Sequence, residues 1–211
     1  MAFVPKEIED YCVYNSTPPS DVAQELMKFT QAGVHGSNML IGEMEGSVLK
    51  FLIKFGQVKT IVELGTYTGY SALVMAEALP EDGKIITIDL NPETTKIAKS
   101  FWEKSPHGKK IEHILKPGLE ALVTLNDEYD LIFIDADKNN YSNYLNWALN
   151  HLSARGAVVV DNTLWSGKIL QPGLDKQTDS IRAHNEKARL LEGYTKTLLP
   201  IRDGMFLITR N

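Results

Sequence analysis

Apolar residues along the chain change rhythm near position 59. Before it, Val22, Leu26 and Phe29 recur at helical spacing within 20–32, and Val48, Leu49 and Leu52 do so within 43–55, which predicts two helices. Beyond it, short apolar runs alternate with helix-spaced stretches. They predict strand 60–64, helix 69–79, strand 84–89, helix 92–104, strand 111–115, a short helical turn, strand 130–135, helix 140–151 and strand 156–160. Turn chemistry agrees: Pro80-Glu81-Asp82-Gly83 closes one helix, and Asn91-Pro92-Glu93 opens the next with a cap and a proline at its first position. Repeated βα units call for a parallel sheet covered on both faces. After Asp161 the rhythm breaks into a loop at 163–178, a helix at 179–192 and two β-like runs, 194–199 and 205–210. Only Pro200-Ile201-Arg202-Asp203-Gly204 joins those runs, too little chain for a crossover, so they form an antiparallel hairpin. The expected fold is therefore α/β, a mostly parallel seven-stranded sheet ending in an antiparallel pair.

Glu63, Asp89, Asp135, Asp161 and Asn162 each stand at or just past the end of an apolar run. In an open α/β sheet the carboxyl ends of the strands line one crevice, so these scattered residues converge on a single site. The 211 residues suffice for one large core, and we expect one domain over 1–211, with 1–57 as N-terminal helices covering the site. A net charge of -5 and no Lys/Arg block argue against nucleic acid as a partner. No apolar run reaches the roughly 18 residues of a membrane span, and Met1–Asp10 lacks a secretion-signal layout. With the single Cys12 unable to form an internal disulfide, a cytoplasmic protein is the expectation.

The first chemical motif is Glu63-Leu64-Gly65-Thr66-Tyr67-Thr68-Gly69-Tyr70-Ser71. Two glycines in a strand-to-helix turn let backbone approach a ligand and present N–H groups, although a tight turn without a ligand looks the same. Asp89, at the end of the next strand, is placed to accept both hydroxyls of a ribose. Gly65 and Gly69 do not make Gly-x-Gly-x-x-Gly, so an adenosyl group bearing an amino acid suits the turn better than a dinucleotide. The second constellation joins Asp135-Ala136-Asp137-Lys138 to Asp161-Asn162. Two carboxylates and an amide oxygen, with no His or Cys nearby, suit Mg²⁺, Mn²⁺ or Ca²⁺ rather than Zn²⁺. Lys138 is a credible base if a metal and partial burial bring its pKa toward roughly 7–8. The five histidines show no ligand spacing.

These segments, with Asp161-Asn162-Thr163-Leu164-Trp165 and the stretch from Glu45 to Val62, resemble the cation-dependent O-methyltransferases, the group of the caffeoyl-CoA and catechol enzymes, in a bacterial-type form. The resemblance covers nearly all of the chain beyond Ser37 and implies a Rossmann-like class I methyltransferase fold. It implies that Glu63, Gly65, Thr66 and Ser71 hold the methionine and ribose side of S-adenosylmethionine, Asp89 the ribose hydroxyls, and Gly118 the adenine by a backbone contact. Met39 and Ile41 would line the cofactor from the N-terminal side, with Asp135 also beside it. Asp135, Asp161 and Asn162 match the metal ligands, Lys138 the catalytic base, and Trp165 the substrate side. Two positions depart from the pattern: Ile41-Gly42-Glu43-Met44 stands where Thr-Ser-x-Asp is common, and Ser166 where plant enzymes carry an amide. The implied reaction is methylation of a small catechol-like phenol, a caffeic acid derivative or its CoA ester, by a homodimer. A nicotinamide-dependent dehydrogenase or a sensor of S-adenosylmethionine would share the glycine turn and Asp89, but neither needs Asp135, Asp161 and Lys138 together.

Overall fold

The computed structural model describes residues 3–211. Seven strands form one sheet in the order β3-β2-β1-β4-β5-β7-β6. They are β1 (Thr60–Leu64), β2 (Lys84–Asp89), β3 (Ile111–Leu115), β4 (Tyr129–Ile134), β5 (Leu152–Val160), β6 (Tyr194–Leu199) and β7 (Met205–Arg210). The first five pair in parallel, β1 with β2 through Glu63↔Thr87 and with β4 through Glu63↔Phe133. β7 runs antiparallel to both β5 and β6, as the short link between β6 and β7 requires. This is the Rossmann-like methyltransferase architecture expected from the sequence.

Alternation along the strands sorts side chains into two cores, one on each face of the sheet. Ile61, Ile85, Leu131 and Phe133 face α2 (Asp21–Gly33), α3 (Glu43–Gly56), α4 (Tyr70–Ala78) and α5 (Pro92–Trp102). Val62, Leu64, Ile132, Ile134 and Val158 face α6 (Gly118–Leu122), α7 (Tyr141–Asn150) and α8 (Lys176–Arg189). α4 is buried nearly all round between α3 and the sheet, which explains why its sequence carries no polar stripe. Each fully buried side chain there, Leu73 or Met75 for example, contributes about 1.5–3 kcal/mol of transfer free energy.

The structure departs from the sequence reading in three places. A helix absent from the expectation, α1 (Lys6–Tyr14), buries none of its residues, so no apolar periodicity marks it. β5 starts at Leu152 rather than 156, where Leu152 pairs with Tyr129 ahead of a register shift. α8 begins at Lys176 because Asp175 caps it, its carboxylate accepting from the Thr178 N–H at 2.8 Å, and the loop ahead of α8 contains a kinked 3-10 stretch, Trp165–Leu170. Among the described residues no helix is long and apolar enough to cross a membrane.

Candidate active site

The carboxyl ends of β1, β2, β4 and β5 open into a cavity of about 1030 Å³. Met39, Ile41, Gly65, Thr66, Ser71, Asp89, Gly118, Asp135, Lys138, Asp161, Asn162 and Trp165 all line it, so residues spread over most of the chain meet there as expected. Glu63 is the exception. It lies within β1 beneath the turn, fully buried, where its carboxylate accepts from the Thr87 hydroxyl and the Thr66 hydroxyl meets that of Thr87 in turn. Burial pushes the Glu63 carboxyl up to about 8 against the Ser71 and Thr87 hydroxyls, leaving it neutral near pH 7. Glu63 and the Thr66 hydroxyl brace the turn from beneath through Thr87, while the other Glu63 oxygen has no hydrogen-bond partner among the described residues.

The turn itself depends on two glycines. At Gly65, with φ 99°, a Cβ would lie 2.0 Å from the Asp135 carbonyl, so only glycine lets the exits of β1 and β4 approach this closely. At Gly69, with φ 83°, a Cβ would strike the Trp102 ring at 2.6 Å. Asp89 organises the same turn: Oδ2 accepts from the N–H groups of Thr66 and Tyr67 at 3.0 and 2.8 Å, and Oδ1 from those of Leu90 and Asn91 at 2.7 and 3.0 Å. Four donors occupy the roughly four acceptor sites of this carboxylate. Asp89→Ala therefore loosens the turn as well as removing a ligand contact. We expect it to weaken cofactor binding by about 1.5–3 kcal/mol, measured by calorimetry, and unchanged affinity would remove Asp89 from the site.

On the β4 side, Lys138 Nζ donates to Asp135 Oδ1 at 2.9 Å and to the Tyr141 hydroxyl at 2.7 Å. Tyr141 is fully buried, and its hydroxyl reaches the site only through Lys138. Burial pushes the Lys138 ammonium down, but Asp135 and Tyr141 outweigh it and hold the group above the ordinary lysine range. Asp137 also lines the cavity, accepting from the Tyr144 hydroxyl and from Asn140 Nδ2. Tyr144 also explains Gly118, where a Cβ would meet the phenol oxygen at 2.6 Å.

Asp161 is buried at 1% exposure, one oxygen accepting from the Asn162 N–H at 2.7 Å. Burial, then the charges of Asp135 and Glu45, push its carboxyl well above the usual range. Asn162 and Trp165 adopt left-handed backbone, with φ of 57° and 46°, and both line the cavity, so Trp165 is a wall of the site and not core. Lys138 and Lys168 lie 5.9 and 5.8 Å from its ring centroid. Among the described residues no three His, Cys, Asp or Glu side chains form a metal cluster. The donor set here is two carboxylates and one amide, hard oxygens that fit a divalent cation, and a buried carboxylate beside a second one is where such a charge is needed.

Two lining residues escaped the sequence reading. Glu45 at 1% exposure and Arg202 lie 3.3 Å apart on the cavity wall, though 157 positions separate them. Glu45 sits three residues past Gly42 and accepts its N–H at 2.9 Å, a helix-start pattern without the Ser or Thr that would have signalled it. His184 is buried against Tyr141 and Phe206 and takes no part in the cavity, consistent with the absence of histidine chemistry.

The sheet order, glycine turn and acidic strand ends define a nucleoside-dependent transferase of the Rossmann-like methyltransferase class. The chain belongs to the O-methyltransferase family, whose model matches residues 14–211. It is 33% identical over 210 residues to the "Probable caffeoyl-CoA O-methyltransferase 2" of Dictyostelium discoideum, covering 96% of this chain and 91% of that one. With the caffeoyl-CoA O-methyltransferase of Petroselinum crispum it shares 35% identity over 179 residues, 79% and 74% of the two chains. The SAH-bound methyltransferase PaMTH1 of Podospora anserina superposes with a TM-score of 0.89 at 25% identity, covering 100% and 99%. This protein is an S-adenosylmethionine-dependent O-methyltransferase.

Proposed function

We propose that the acceptor is a catechol-like phenol, a caffeic acid derivative or its CoA ester, and that a divalent cation, Mg²⁺ foremost, is held by Asp135, Asp161 and Asn162. The observation that carries this reading is Asp161: a fully buried carboxylate near Asp135, at the wall of the cavity, with Lys138 bonded to Asp135. A single ammonium cannot offset both carboxylates, and a buried uncompensated charge is costly. When bound, the cation supplies Lewis-acid chemistry, lowering the pKa of a vicinal hydroxyl.

The chain's own residues then do the positioning. The β1–α4 turn, with Asp89 stapling it, fixes the adenosyl end, while Trp165 walls the acceptor end. Productive displacement at the sulfonium carbon needs the acceptor oxygen about 3–3.5 Å from the methyl group in line with the leaving sulfur. Lys138 keeps its proton at Nζ, so its part is to stabilise the phenolate electrostatically beside Tyr141. A phenolate and a sulfonium neutralise each other in the transition state, which a water-excluding site favours.

Acceptor choice is tested with labelled S-adenosylmethionine against vicinal-diol phenols, their monohydroxy analogues, free acids and CoA esters. Methylation of diols with little of the monohydroxy analogues supports the reading; equal rates on both classes contradict it.

A further inference from the structure

The segment 34–42 crosses the cavity between α2 and α3, and its Met39 and Ile41 face the same space as the glycine turn. It is tied at two points. From the turn, the Tyr67 hydroxyl donates to the His35 carbonyl at 2.9 Å. At the far end Arg202 Nη1 donates to the Leu40 carbonyl at 3.0 Å and lies 3.3 Å from the Glu45 carboxylate. Gly42 leaves the lane for that side chain, since a Cβ there would meet Arg202 Cδ at 2.7 Å and Glu45 Oε2 at 2.6 Å.

Arg202 makes these contacts from an unfavourable backbone state. Its φ of 42° is in the left-handed region, which a glycine would occupy without strain. The hairpin tip that carries it is anchored separately: the Leu164 N–H donates to the Asp203 carbonyl at 2.8 Å, and the Thr163 N–H to the Gly204 carbonyl at 3.1 Å. A fixed tip, a strained residue and a side chain spent wholly on the opposite wall together describe a clasp.

We propose that Arg202 is a positioning residue that clasps the 34–42 segment onto the cavity and so sets how long S-adenosylmethionine stays bound. The proposal rests on the cofactor occupying this cavity. The Leu40 bond and the Glu45 pair add polar ties at the end of the segment nearest Ile41, where Leu40 and Ile41 also pack into the core, while the Tyr67 bond holds the other end. Asp161-Asn162 continue into the residues that anchor the tip, so the clasp also joins the cofactor wall to the acceptor wall.

The test pairs cofactor dissociation with stability in Arg202→Gly and Arg202→Lys. S-Adenosylmethionine release is followed by stopped-flow competition, affinity by calorimetry and Tm by scanning calorimetry. In Arg202→Gly we expect Kd to rise about tenfold, the equivalent of roughly 1.4 kcal/mol, through faster release. Its Tm gains from a glycine that accepts the left-handed turn and loses from a Glu45 carboxylate left buried without its partner, so the release rate and not Tm reports the clasp. Arg202→Lys keeps a cation toward Glu45 and should fall between the two. Release from Arg202→Gly at the wild-type rate overturns the clasp, as does release from Arg202→Lys as fast as from Arg202→Gly. Wild-type protein that fails to bind S-adenosylmethionine would instead overturn the cofactor placement beneath it.

Discussion

Lys138→Ala lowers kcat for methyl transfer roughly 100- to 1,000-fold, the cost of deleting one donor aimed at a developing oxyanion, while S-adenosylmethionine affinity changes little. The side chain touches Asp135 and Tyr141 and stands over Trp165, all on the acceptor side of the cavity, so its loss does not reach the β1–α4 turn. Arginine at this position separates two roles. Burial pushes the Lys138 ammonium down, but the Asp135 charge and the Tyr141 bond raise it further, so Nζ is protonated at neutral pH. A cationic stabiliser is partly replaced by Lys138→Arg, which keeps the charge; a general base is not, because guanidinium does not give up its proton. Steady-state rates with labelled cofactor decide between them: an arginine variant as slow as the alanine variant restores Lys138 to the role of base.

Asp161→Asn abolishes the cation-stimulated part of the activity and raises Tm in the absence of metal. The amide keeps an oxygen for the Asn162 N–H, so the local turn survives, while the charge is removed. That charge is buried, and Asp135 and Glu45 stand near it, which is why its carboxyl is pushed well above the usual range. Removing an uncompensated buried charge stabilises a fold, whereas removing a charge that nothing disfavours does not. Opposite signs for activity and stability are the signature of a ligand position. Cation binding followed by calorimetry, alongside thermal scans in chelator, measures both, and a variant that retains full cation stimulation would free Asp161 from this assignment.

The sheet was legible because most of its parallel strands carry apolar runs, such as Leu131-Ile132-Phe133-Ile134 and Ala157-Val158-Val159-Val160, and the site because acidic residues stand at the ends of those runs. Asp89, Asp135, Asp161 and Asn162 could be placed from strand position alone, since a parallel sheet brings its carboxyl ends to one edge. Glu63 lies inside β1, ahead of the strand exit at which Asp135 and Asp161 stand, and is fully buried there. α1 was invisible because it buries nothing, so no period separates it from a polar coil. The Glu45–Arg202 pair was beyond reach for a different reason, as ion pairs across 157 positions leave no local pattern. The proton affinity of Lys138 follows from its partners in space and not from its distance along the chain to a carboxylate.

Transfer of a labelled methyl group from S-adenosylmethionine to a catechol, in excess chelator and then with Mg²⁺ or Mn²⁺ restored, tests the account most directly. The arrangement of Asp135, Asp161 and Asn162 predicts that chelator abolishes methylation and that the cation returns it, with cofactor binding intact throughout. Full activity in chelator, at a cofactor affinity equal to that with metal, would contradict it.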